Sequence, residues 1–264
     1  MTRRLGRRGI VWPAAALVLA FLYLPIGVMI AFSLNAGGTV GLPWTGFTMD
    51  WYAEVFQDRA LMGSLWNSVK VSLGVVVIAV CLGLPAAIAL DRFEFPFKGT
   101  FRRIVLLPIV LPGVITGVSL LGFYLVVNVR LSLVTLTIAL GTALMCVIVT
   151  EVFARLQQVG QSQAEAAYDM GATELEVFRK VTLPSISSAL LGGILITFSI
   201  AMDELAVTYL LIGRENTLPM QIWSMLRRDV SPEINAIATI TILISLVLVT
   251  IGILLSRGRT LVRD

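Results

Sequence analysis

The chain has 264 residues, 57% hydrophobic and only 14% charged, with a mean hydropathy of +0.91. Soluble domains are about 45–50% apolar and about 25% charged, so this composition belongs to an integral membrane protein. The pI near 9.4 comes from short Lys/Arg clusters beside apolar runs, a pattern that orients membrane proteins and not the basic stripe of a nucleic-acid binder. The absence of histidine excludes His-dependent triads, HExxH zinc sites and imidazole proton relays.

A span needs about 20 apolar residues to cross about 30 Å of hydrocarbon. Six runs meet that length: Ile10–Leu34, Val69–Leu90, Ile104–Val127, Leu133–Thr150, Ile186–Ile212 and Ile234–Leu255. The expected fold is therefore an all-α membrane protein with six transmembrane helices, forming one membrane domain over residues 1–264. The first run follows MTRRLGRR and exceeds the 7–15-residue core of a cleavable signal, so it reads as an uncleaved span.

The segment after it, from Gly37, carries Trp44, Phe47, Trp51, Tyr52 and Phe56, which fit an interfacial aromatic belt. Asp50, Glu54 and Asp58 recur every four residues, as on the wet face of a surface helix. Two readings stand here: a helix lying on the membrane, or a docking surface for an external partner built on Trp44, Trp51 and Tyr52. In the second span lies Cys81 and in the fourth Cys146, too far apart in sequence to suggest a metal motif or disulfide framework. The third span contains Pro108, Pro112, Gly113 and Gly117, so it reads as a kinked helix or as a break lining a cavity.

Between the fourth and fifth spans, Glu151–Ser185 is the longest polar connection. Its first expected helix, Gln163–Met170, has Ala164, Ala167 and Tyr168 on one face and stops at Gly171. A second begins at Thr173 with the capping box Thr173-x-x-Glu176, turns Leu175, Phe178 and Val181 inward, and is expected to end at Pro184. The fifth span opens with the small-residue run SISSALLGG, which permits close helix packing. Farther along it holds Asp203 and Glu204, although one carboxylate near the bilayer centre costs roughly 2.5–3.5 kcal/mol. Read as one helix, it puts Asp203 about 13 Å from Ile212, near mid-membrane, with Ser199, Val207, Thr197 and Thr208 alongside the pair. An ion pair with another helix, a shared proton, an open vestibule and contact with a cationic substrate all account for such acids. The sixth span starts at SPEI, with Ser231 as cap and Pro232 as first helical residue.

Four Lys/Arg residues precede the first span, four lie in Asp91–Arg103, three in Glu151–Ser185 and three after Leu255, together 14 of 20. The other side holds Arg59, Lys70, Arg130, Arg214, Arg227 and Arg228. The positive-inside rule then makes both termini and the Glu151–Ser185 loop cytoplasmic.

The run Glu165-Ala166-Ala167, three residues, Gly171, nine residues, Val181-x-Leu183-Pro184 resembles the EAA loop of ABC-importer permeases, with valine where isoleucine is usual. The resemblance implies the type I (MetI-like) importer fold, with Glu165, Ala166, Ala167, Gly171, Leu183 and Pro184 coupling the chain to an ATPase. The segments WTGFTMDWY, SIAMDELAV and LPMQIWSMLRRDVSPEINAIATI resemble the second membrane subunit of spermidine/putrescine importers, except that Asp203-Glu204 stands where Asp-Asp is common. That likeness implies a bacterial inner-membrane permease working with a second permease, a cytoplasmic ATPase dimer and an extracytoplasmic solute-binding protein. It makes Asp203, Glu204 and Thr208 candidates for a substrate pathway and Trp44, Trp51 and Tyr52 candidates for binding-protein docking. Permeases for opines, thiamine and ferric iron are similar, and a proton-coupled secondary transporter is the more distant alternative. The sequence has no GxxxxGK phosphate loop, so ATP and Mg²⁺ are expected on the partner ATPase and no cofactor on this chain.

Overall fold

The computed structural model describes residues 3–38, 41–228 and 231–260, with side chains described from residue 12 to residue 250 apart from 248 and 249. Twelve α-helices and one π-helical turn make up its regular structure, and among the described residues no strand forms beyond an isolated bridge between Asn35 and Phe47. The helices are α1 (Arg3–Phe32), α2 (Asp50–Gln57), α3 (Arg59–Arg92), α4 (Lys98–Val110), α5 (Gly113–Val126), α6 (Leu133–Val159), α7 (Ser162–Asp169), α8 (Glu174–Val177), α9 (Leu183–Asp203), α10 (Ala206–Leu211), α11 (Leu218–Arg228) and α12 (Pro232–Thr260). The π turn covers Phe178–Thr182.

Among the described residues, four helical stretches are long and apolar enough to span a membrane: Trp12–Phe32, Arg59–Arg92, Leu133–Val159 and Glu174–Asp203. The third span is not a single helix. It is α4 followed by α5, bent by 112°. Leu111 at the break is extended (φ −79°, ψ 131°), as expected of a residue before proline, and Pro112 has no N–H to offer a continuing helix. α12 provides the sixth apolar stretch, with Pro232 as its first helical residue as the sequence predicts.

The chain clusters into two compact units. In residues 1–62 with 222–244, the connection after α1 is organised by Asn35, which is fully buried. Its Oδ1 accepts the Thr45 N–H at 3.0 Å, and its Nδ2 donates to the Gly41 and Pro43 carbonyls at 3.3 and 3.4 Å. Asp58 does not extend the wet face of α2. It lies past the end of that helix, where Oδ1 accepts the Ala60 and Leu61 N–H groups at 2.7 and 3.2 Å and caps α3.

In residues 63–221 with 245–264, α3, α6 and α9 supply most of two apolar clusters, one around Val75, Leu136 and Leu140 and one around Ile148, Val152 and Ile186. Glycines set the α3–α6 approach. A methyl group on Gly74 would lie 2.6 Å from Thr137 Cγ2, and one on Gly141 2.7 Å from Ile78 Cβ. From the small-residue run that opens the fifth span, Ser185 is buried and Gly193 packs on Ile148 and Glu151 of α6.

Candidate functional site

The first candidate region is a helical elbow, α7 to the π turn. α7 ends in a Schellman motif: Gly171 sits at φ +84°, its N–H donates to the Tyr168 carbonyl at 2.8 Å, and the Ala172 N–H donates to the Ala167 carbonyl at 3.1 Å. The capping box forms as the spacing predicts, with the Glu176 N–H donating to Thr173 Oγ1 at 3.4 Å and the Thr173 N–H to Glu176 Oε2 at 3.1 Å. The bond from the Thr173 backbone, then the Lys180 ammonium at 3.0 Å, holds the Glu176 carboxyl down to about 2.

The expectation that Pro184 ends this helix is corrected. The chain winds through the π turn directly into α9, and Pro184 occupies the first turn of that helix, where the wider π winding just before it accommodates a residue with no N–H. Two arginines brace the junction, neither of them singled out by sequence. Arg92, at the end of α3, donates to Thr182 Oγ1, and Arg155 of α6 donates through Nε to the Ser185 carbonyl at 3.1 Å. Of the EAA residues, Glu165, Ala166 and Gly171 are exposed, Ala167 is buried under the elbow, Leu183 is half-buried and Pro184 exposed. Val177 is fully buried, while Leu175, expected inside, is exposed. Asp91, Arg92, Gln161, Glu165, Tyr168 and Phe178 help line a cavity of about 440 Å³ beneath the elbow.

The second region is where two interrupted spans meet. The fifth span, read from sequence as one helix, stops at Asp203 and restarts at Ala206. Glu204 is extended (φ −70°, ψ 113°), and its Oε1 accepts the Val207 N–H at 2.9 Å. The strip expected along a continuous helix is therefore cut at the acids. Thr208, a predicted pathway residue, is 1% exposed and packs into the interior, as do Thr197 and Val207. Asp203 is exposed. The break faces the start of α5: a methyl on Gly113 would lie 3.4 Å from Ala206 Cβ and 3.6 Å from Glu204 Oε1. One turn on, a methyl on Gly117 would reach 2.8 Å from Leu210 Cδ1 and 3.3 Å from Val207 Cα, so α5 and α10 approach too closely for any side chain there.

The third region is the connection after α1. Trp51 Nε1 donates to the Asn35 carbonyl at 2.8 Å, and the Tyr52 hydroxyl bonds to Ser33 Oγ at 2.7 Å. Both rings are half-buried anchors of this segment, whereas Trp44 stays 48% exposed. Beside α2, Glu233 at the start of α12 is hydrogen-bonded to Glu54. Burial, then Glu54 and the charge of Asp58, push the Glu233 carboxyl upward from 4.5.

Apolar spans, two of them interrupted beside adjacent carboxylates, and an elbow with the EAA pattern define a membrane transport permease. The chain belongs to the family of binding-protein-dependent transport system inner membrane components, whose model matches residues 79–258. It is 33% identical over 241 residues to the spermidine/putrescine transport system permease protein PotC of Haemophilus influenzae, covering 91% of this chain and 93% of that one. It is 34% identical over 239 residues to the putrescine transport system permease protein PotI of Escherichia coli K12, covering 87% and 85%. Among solved structures it resembles a chain of a bacterial alginate ABC transporter in complex with an alginate pentasaccharide-bound periplasmic protein, with TM-score 0.73, 18% identity, and 97% and 95% covered. An inward-facing MetNI methionine ABC transporter gives TM-score 0.65 at 19% identity, covering 76% and 96%. The fold is that of ABC-importer permeases.

Proposed function

We propose that this chain conducts polyamines, spermidine or putrescine, across the bacterial inner membrane as one permease of an ATP-driven importer. The observation that carries the substrate class is the acidic pair at the break between α9 and α10, which no cation of the chain neutralises among the described residues. The ion pairs found among the described residues, Lys98–Glu94 and Lys180–Glu176, both lie far from the break, the second at the elbow end of the Glu174–Asp203 stretch. Carboxylates kept inside a bundle at such cost mark an ion or substrate route, and a discontinuous helix is the backbone such sites use. At an effective dielectric of about 20, a carboxylate–ammonium contact at 4 Å contributes about 4 kcal/mol before desolvation, enough to offset part of a polycation's lost hydration and still release it. The likeness to PotC and PotI supports the same substrate class.

The rest of the machine follows from the same reading. ATP is hydrolysed by a separate ATPase dimer that grips the elbow at Glu165, Ala166, Ala167 and Gly171, with Leu183 and Pro184 carrying its closure into α9. A second permease completes the pathway, and an external solute-binding protein docks near Trp44. Both termini and the elbow are cytoplasmic, in keeping with the 14-to-6 distribution of Lys and Arg.

The test is the reconstituted complex with its binding protein, scanned for solute-stimulated ATP hydrolysis and uptake. Stimulation by spermidine or putrescine is expected. Stimulation only by an opine, thiamine or ferric iron would move the chain to another branch of the family, and uptake without any ATPase would refute the importer reading.

A further inference from the structure

We infer that the two adjacent acids have different tasks: Asp203 alone meets the passing cation, while Glu204 is a positioning residue that holds the two span breaks together. This rests on the polyamine reading above and divides its site. The Val207 N–H is one of the donors left without an intrahelical acceptor at the start of α10, and Glu204 Oε1 satisfies it at 2.9 Å. The same oxygen lies 3.6 Å from the methyl position of Gly113, against the amino end of the fourteen-residue helix α5. The partial positive charge of that helix end favours a carboxylate there. Glu204 is half-buried between the two helix starts, so its negative charge is already answered by backbone dipoles. Asp203 differs on each count. It is the last residue of α9, it is exposed, and no donor is bonded to it among the described residues.

The neighbouring glycines fit this assignment. Gly117 leaves room for the α10 backbone, and a carbon at Gly113 would make ordinary contacts with Ala206 and Glu204, so the break in the third span and the break in the fifth pack as one joint. Glu204 joins the two helix starts. With Oε1 held by the Val207 N–H, only Oε2 is left to face a cation, and drawing the whole carboxylate toward one would leave a buried backbone donor unsatisfied.

The experiment uses the full reconstituted complex with Cys81→Ser and Cys146→Ser, reading spermidine uptake together with an oxidative crosslink between Gly113→Cys and Ala206→Cys. The 3.4 Å separation of those positions is within reach of a disulfide after slight adjustment. Asp203→Asn should keep the crosslink and cut uptake roughly ten- to hundredfold, the scale of one lost charge-assisted contact. Glu204→Gln keeps an oxygen for Val207, so it should keep the crosslink and lose no more than about twofold of uptake. Glu204→Leu should lose the crosslink and the uptake together. If Glu204→Gln falls as far as Asp203→Asn with the crosslink intact, Glu204 is a substrate ligand and the division of tasks is wrong. If Glu204→Leu retains both crosslink and uptake, Glu204 holds nothing. Wild-type spermidine uptake in Asp203→Asn overturns the division of tasks while leaving the polyamine reading standing, as do the other two failures; no spermidine or putrescine uptake by the parent complex refutes the polyamine reading itself.

Discussion

Replacing Gly171 by alanine isolates the backbone requirement of the elbow. Gly171 stands at φ +84°, and a methyl group built on it meets nothing within 4 Å, so the substitution adds left-handed strain and no clash. That strain is about 1–2 kcal/mol for an L-residue, with asparagine the most tolerant alternative. If the Schellman turn unwinds to relieve it, the docking-competent elbow becomes about 5–30-fold scarcer, and apparent affinity for the ATPase falls by up to the same factor. The assay is titration of the purified ATPase onto nanodisc-embedded permease, comparing wild type, Gly171→Ala and Gly171→Asn. The expected order of affinity is wild type, then Asn, then Ala. Equal affinity of Ala and wild type would refute the claim that docking requires this turn. Equal weakening by Ala and Asn would place the cause in side-chain bulk at the interface instead of backbone strain.

Two further outcomes can be checked with the same protein. The folded Glu233 carboxyl lies above its unfolded value of 4.5, so its favourable contribution exists below pH 4.5 and is lost as pH rises through the folded value; ionised Glu233 therefore destabilises the fold at neutral pH. Glu233→Gln should raise the melting temperature in detergent at pH 7.5, with the gain shrinking at pH 4, and a lowered melting temperature at pH 7.5 would contradict this. Cysteines at Gln161 and at Leu42, both exposed, in a Cys81→Ser background should react with an impermeant maleimide from opposite sides of the membrane. Labelling from one side would overturn the orientation.

Local signals were the ones legible in the sequence. Gly171 and the Thr173–Glu176 capping box announce themselves because backbone angle and hydrogen bonding at those positions depend on neighbours three or four residues away. Pro112 was half legible: proline spacing gives an interruption, but a kink and a 112° break differ only in what packs against them. The break after Asp203 has no such signal, since MDELAV contains neither proline nor glycine. It is held by Glu204 reaching Val207 and by Gly113 and Gly117 on another span, about 90 residues earlier in the chain. Treating the span as one helix therefore put Thr208 beside the acids, when it is buried. Asn35 gives no signal for a related reason: a single polar residue at the end of an apolar run reads as a boundary, and its bonds to Gly41, Pro43 and Thr45 come from a loop with no periodicity.

The unbroken winding of α8, the π turn and α9 has a mechanical consequence. From Glu174 to Asp203 the chain is one rod of 30 residues, about 45 Å at 1.5 Å per residue. Arg92 and Arg155 hold it about a third of the way along, at Thr182 and Ser185, and it ends at the break at Glu204. On the proposed coupling role, a push on the elbow is passed along it as a tilt, with the π turn and Pro184 the points at which it can bend. Pivoting by about 10° at Ser185, where Arg155 holds it, sweeps Asp203, about 27 Å farther along, through about 5 Å. On that reading a small stroke at the elbow becomes a larger displacement at Asp203, and the non-helical pair Glu204 and Leu205 is where the moving rod meets α10.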